Sequence, residues 1–109
     1  KGLNKQGKIL KESRVLVMGL TFKENVKDHR NSRAKYLIEE LQGYGIEVVG
    51  CEPLLDDELI EKEFNVKNCR FSEASGFDGV VLINRHNEFG EVGNLKDKFG
   101  LVFDVKGML

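Results

Sequence analysis

A chain of 109 residues, 40% of them hydrophobic, is the size of one domain and can bury enough apolar surface to fold around a single core. Its 17 Lys and Arg against 18 Asp and Glu leave a formal net charge of −1, which excludes the global field that gathers nucleic acid or an anionic membrane and makes any anion binding a local matter. No signal peptide, no apolar run near the ~18 residues of a membrane span and no histidine at zinc spacing from Cys51 or Cys69 can be found, so the chain reads as cytoplasmic, reduced and without a metal site.

In chain order, KGLNKQGKILKES carries Leu3 and Leu10 on one side and reads as the tail of a helix over residues 1–12 running straight into a strand, as a domain excised from a longer protein would begin. RVLVMGL, residues 14–20, is a continuous β-branched apolar run ending near Gly19, the pattern of a strand buried on both faces of a parallel sheet. Ser32 can cap a helix in which Ala34, Leu37, Ile38 and Leu41 fall on one face, and Gly43 and Gly45 end it. IEVVGCEP is a second strand stopped by the single proline, Pro53. DDELIEKEF follows as a helix with Asp56 and Asp57 at its start and Leu59, Ile60 and Phe64 inward. NCRFS is a short third strand, DGVVLINRH and GLVFDVKG are the fourth and fifth, and NEFGEVGNLKDKF between them holds a short helix. Strands and helices alternating at this spacing imply right-handed crossovers and an α/β, Rossmann-like three-layer domain with a parallel sheet of about five strands.

Ligands of such sheets sit beyond the carboxyl ends of the strands, which singles out TFKENVKDHR after the first strand, CEP after the second, NRHNEF after the fourth and DVKG after the last. A dinucleotide turn needs G-x-G-x-x-G, because its second glycine lets backbone approach a pyrophosphate and its third allows close helix packing. This register reads Gly19, Thr21, Glu24, and the connection runs roughly ten residues where about 2–6 is usual, so the chain does not cradle a dinucleotide by itself. Two readings of the long loop remain open on physics alone. Lys23 and Arg30 can each meet a phosphate beside a helix N-terminus opened by Ser32, or Lys23, Glu24, Lys27, Asp28 and Arg30 can pair with one another in water.

The remaining polar residues read as structural. Glu52 stands where a Rossmann acid accepts ribose hydroxyls, but without the glycine turn it reads as a surface acid. His86, with no nucleophile or carboxylate motif beside it in sequence, reads as a cap or hydrogen-bonded loop residue rather than a general base, and His29 as solvated. Cys51 and Cys69 read as small hydrophobes in or near a core. No residue is assigned to covalent catalysis or to a metal, since no ligand cluster, serine elbow or P-loop is present in the sequence.

The composite GLTFKENVKDHRNS, with Gly19, Phe22, Lys23, Asp28, Arg30 and Ser32, the Glu52–Pro53 pair, HNEF at residues 86–89 and the closing FDVKG, resembles the C-terminal domain of the UDP-glucose/GDP-mannose dehydrogenase family. The members it looks most like are the bacterial UDP-N-acetyl-hexosamine 6-dehydrogenases of polysaccharide synthesis, of Vi-antigen and enterobacterial common antigen type. The resemblance covers essentially the whole chain. It implies residues 1–12 as the tail of a helix linking to a central domain and 13–109 as the UDP-binding domain, in a homodimeric enzyme whose own N-terminal domain binds NAD and whose central domain carries the catalytic cysteine. That enzyme would oxidise the C6 alcohol of a UDP-sugar to the uronic acid with NAD. By the same resemblance Lys23 contacts the nucleotide sugar, Arg30 reaches the NAD phosphates, and Asp28 and Ser32 shape the loop between them.

The chain departs from that pattern at Lys106, where many relatives carry an arginine that holds the substrate diphosphate; the charge is kept and the bidentate fork is lost. Neither cysteine lies in the glycine-rich setting of the catalytic one, so the isolated chain is expected to be inactive. A competing reading from another class is a non-catalytic Rossmann-like nucleotide-binding or interaction module.

Overall fold

In a computed structural model of the chain the described residues are 13–21, 32–84, 86–90, 95, 98–99 and 102–104. The expected helix tail over residues 1–12 and the residues Lys23, Asp28, His29, Arg30 and Lys106 lie outside them.

Strand β1 is Arg14–Met18, and its side chains alternate between two faces that are both buried. Val15 and Val17 face one core, shared with Ala34, Ile38, Val48, Ile60, Phe64 and Val66. Leu16 and Met18 face the other, with Cys51, Val80, Leu82, Phe89 and Leu95. A continuous apolar run is what two buried faces require, which is why β1 shows no polar alternation.

Strand β2 (Glu47–Cys51), β3 (Lys67–Asn68), β4 (Gly79–Leu82) and β5 (Val102–Asp104) complete a five-stranded sheet in the order β3-β2-β1-β4-β5. Every pairing is parallel, with Val15 opposite Val48 on one side of β1 and Leu16 opposite Val80 on the other. Helices α1 (Arg33–Gly43) and α2 (Asp57–Phe64) supply Ala34, Ile38, Ile60 and Phe64 to the first core. The second face is covered by Phe71, Ala74, Phe77, Phe89, Leu95 and Phe99, with the Phe71 and Phe89 rings 5.6 Å apart and tilted.

Local chemistry sets the boundaries. Ser32 caps α1 by accepting from the Ala34 amide at 3.1 Å, and Gly45 turns the chain out of the helix at φ +82°. Helix α2 closes at Asn65, a left-handed residue at φ 57° whose backbone carbonyl accepts from the Gln42 side chain. The third strand is shorter and earlier than NCRFS predicts: β3 ends at Asn68, and Phe71–Glu73 form a 3-10 turn. The physical reason is the edge position. With only β2 to pair, the segment keeps two ladder positions and then bends so that Phe71 reaches the second core.

Candidate ligand-binding edge

The strand order reverses direction at β1, whose connections run to β2 on one side and whose other neighbour is β4, so the crevice between the carboxyl ends of β1 and β4 is the topological switch point. The chain leaves β1 through Gly19, held at φ +82°. A Cβ there would stand 2.2 Å from the Asn84 carbonyl oxygen, so the glycine allows two backbones to touch rather than a ligand to approach. Thr21, at the second position of the dinucleotide register, is fully buried, with its hydroxyl 3.2 Å from His86 Nε2. At Gly19 and Thr21 the edge of β1 is therefore packed against the protein's own backbone and side chains.

Around that exit converge side chains from three strand ends. Glu52, directly after β2, is 0% exposed. Its Oε1 accepts from the backbone amides of Leu20 at 2.6 Å and Thr21 at 3.1 Å and lies 2.9 Å from His86 Nε2, while Oε2 accepts from the Leu54 amide at 2.8 Å. Asn84, just after β4, donates its side-chain amide to the carbonyls of Gly19 and Thr21. His86, also 0% exposed, packs its ring 5.5 Å from that of Phe89. Asn68 fixes the backbone of Glu52 from the β3 side, accepting from its N–H at 2.7 Å and donating to its carbonyl at 3.2 Å.

Glu52 thus corrects the sequence reading: it is neither a surface acid nor a ribose acceptor, because both carboxylate oxygens are engaged inside the fold. A buried carboxylate survives where N–H donors surround it, and here the amides left over at the ends of β1 and β2 supply them. His86 is a hydrogen-bonded loop residue, as expected, yet it does have a carboxylate beside it, contributed from 34 residues away. Thr21 and Asn84 open the edge segments TFKENVKDHR and NRHNEF that the sequence marks, but neither had a role of its own there.

Ser32 is the one sequence-selected site residue among those described. It is buried, and besides capping α1 its hydroxyl approaches the Thr21 carbonyl at 3.5 Å. Thr21 and Ser32, the described residues on either side of 22–31, therefore meet on the switch-point side of the sheet. Beyond β2 and β3 opens a cleft of about 700 Å³ lined in part by Glu52, Pro53, Asn68, Cys69, Arg70 and Phe71. At the opposite edge Arg14 is taken up structurally, pairing with Glu47 at 3.2 Å and lying 4.8 Å over the Phe77 ring. Among the described residues there is no cluster of metal-ligating side chains and no helix long and apolar enough to cross a membrane.

Residues 16–109 match the model of the UDP-glucose/GDP-mannose dehydrogenase family, UDP binding domain. The chain belongs to this family. Its relatives include protein CapL of Staphylococcus aureus, 35% identical over 100% of this chain and 27% of its own length. UDP-N-acetyl-D-glucosamine 6-dehydrogenases of Salmonella typhi and Pseudomonas aeruginosa are 31% and 34% identical, over 100% and 89% of this chain and 26% and 24% of theirs. The family domain described here spans about a quarter of the length of these relatives. Its fold is similar to that of a UDP-glucose dehydrogenase from the archaeon Pyrobaculum islandicum, with TM-score 0.66 and 20% identity over 85% of this chain and 25% of that one. A UDP-D-ManNAc dehydrogenase from Pyrococcus horikoshii aligns with TM-score 0.61 and 23% identity, over 92% of this chain and 23% of that one.

Proposed function

We propose that this chain is the C-terminal, nucleotide-sugar-binding domain of a cytoplasmic, NAD-dependent UDP-sugar 6-dehydrogenase, with a UDP-N-acetyl-hexosamine as substrate and cell-surface polysaccharide as the destination of the product. The observation that carries this reading is the family match across residues 16–109, joined to relatives named as UDP-N-acetyl-D-glucosamine 6-dehydrogenases. Residues 1–12 are the end of a linking helix and 13–109 the domain itself, in a parent that is a homodimer and carries an N-terminal NAD-binding domain and a central domain with the catalytic cysteine. The chain alone is inactive.

In this reading segment 22–31 works as a charged arm. Lys23 meets the nucleotide sugar as a point charge, and Arg30 offers a planar fork to the NAD phosphates held by the other domain. Asp28 and Ser32 shape the arm, and Lys106 adds a further cation to the substrate side without an arginine's bidentate geometry. NAD, when bound, supplies the hydride acceptor. This domain's part is to position charge against phosphates, which lowers a barrier because the cations need not reorganise during reaction. The buried Glu52–Thr21–His86 cluster supports the idea that the arm has a rigid footing, since it fixes the backbone from which the arm departs.

The test is NADH formation by the full-length parent with UDP-N-acetylglucosamine, UDP-N-acetylmannosamine, UDP-glucose and GDP-mannose. Turnover with a UDP-N-acetyl-hexosamine, and kcat/KM at least about 10-fold lower with the others, is expected. No turnover with any of the four would mean that the substrate lies outside this panel or that the domain is not part of an oxidoreductase, and either way would reject the UDP-N-acetyl-hexosamine reading.

A further inference from the structure

The two cysteines are 18 residues apart in sequence and adjacent in space. The β2–β3 ladder pairs Val49 with Lys67 and Gly50 with Asn68, so Cys51 and Cys69 are the next step along it. The strands are still together there, because the Cys69 amide donates to the Gly50 carbonyl at 2.8 Å. Neighbouring strands run about 4.8 Å apart, which lies within the span of about 4.4–6.8 Å between Cα atoms that a disulfide bridges. Both side chains face the second core, and both thiols are free.

The pair is asymmetric. Both line the cleft beyond β2 and β3, but Cys51 is 1% exposed, whereas Cys69 is half-buried. We propose that Cys51 and Cys69 are a redox-active dithiol, in which Cys69 is the thiol that meets oxidant in the cleft and Cys51 the thiol that resolves it. The oxidant is a hydroperoxide. The Cys69 thiolate attacks its outer oxygen, the O–O bond breaks, an alcohol or water leaves with a proton, and Cys69 becomes a sulfenic acid. The Cys51 sulfur then attacks the Cys69 sulfur, its proton leaves with the displaced hydroxide as water, and a disulfide remains: two electrons pass from the thiols to the peroxide.

The electrostatics agree with that division of labour. The neighbouring Cys51 thiol lowers the Cys69 pKa, with burial and Glu73 opposing and Arg14 assisting. The Cys69 thiol, burial and the charge of Glu52 push Cys51 well up, with Lys98 opposing. A thiolate stabilised by its buried partner is the one that reacts near neutral pH. In reducing compartments a disulfide is usually transient and tied to catalysis or redox sensing. Here it would form one residue before Glu52, the carboxylate that anchors the footing of segment 22–31.

The 109-residue chain contains these two cysteines and no others, which makes the test direct. It is treated with a small excess of hydrogen peroxide near neutral pH, then read by intact mass, free-thiol alkylation and non-reducing peptide mapping. The expected result is a monomer lacking two hydrogens, a single Cys51–Cys69 linked peptide, and full recovery of both thiols with dithiothreitol. In the reduced chain Cys69 should alkylate at least about 10-fold faster than Cys51. Cys51→Ser should stop at a sulfenic acid that dimedone captures, and Cys69→Ser should slow oxidation by about 10-fold or more. Two thiols that stay free, chains cross-linked to one another, or sulfinic and sulfonic products without the internal link would overturn the proposal. Cys69 is only half-buried, so the wild type and Cys69→Ser decide the matter even where Cys51→Ser fails to fold.

Discussion

Glu52 shows how one residue can organise an edge of the sheet without meeting a ligand. Its carboxylate accepts from the amides of Leu20, Thr21 and Leu54 and contacts His86, all inside the protein. Glu52→Ala leaves those donors buried and unpaired, and should destabilise the chain by about 3–5 kcal/mol. Glu52→Gln keeps one oxygen for Leu20 and Thr21 and sets an amide against the Leu54 N–H, so about 1–3 kcal/mol is expected. Urea unfolding monitored by circular dichroism separates the two, and equal losses would contradict the hydrogen-bond account. Gly19 is constrained differently. Its left-handed φ and the backbone of Asn84 pressed against it mean that Gly19→Ala should cost at least about 3 kcal/mol, seen as a fall in Tm of more than about 10 °C. None of this could be read from residues 19 and 52 by themselves. Sequence places Glu52 after a strand next to a proline, where acids are normally solvated. Its burial arises only once three strand ends from distant parts of the chain meet.

Among the elements, those with two buried faces or a clear helical stripe were legible, and those at the margin were not. β1 and β4 are short apolar runs that two covering layers demand, and the inward faces of α1 and α2 follow the 3.6 periodicity of their apolar residues. Strand β3 was misplaced by a residue or more because an edge strand of two residues, Lys67–Asn68, has almost no pattern to read, and Phe71 resembles a strand residue although it packs from a turn. The long connection between β1 and α1 was legible as an exception: its length and charge marked it, and its ends at Thr21 and Ser32 meet where a ligand edge should be. Ser32 holds that closure and caps α1. Ser32→Ala should therefore lower stability by about 1 kcal/mol through the lost cap. An unchanged urea midpoint would show that the Ala34 amide finds another acceptor.

For the whole molecule, fold, family and charge agree: a parallel sheet in the order β3-β2-β1-β4-β5, near-neutral overall. Near-neutral net charge makes any anion binding local, and in the reading proposed above Lys23 and Arg30 supply it from the segment between Thr21 and Ser32. The central claim is that these cations serve two different ligands rather than each other. The measurement that tests it most directly is steady-state NADH formation by the full-length parent, varying UDP-sugar and NAD in turn for the wild type, Lys23→Ala and Arg30→Ala. The account predicts a loss of about 10-fold to 1000-fold in kcat/KM for each variant, carried mainly by the UDP-sugar for Lys23→Ala and by NAD for Arg30→Ala. Kinetics within about 2-fold of wild type for both variants would show a loop whose charges merely pair in water, and would contradict the account.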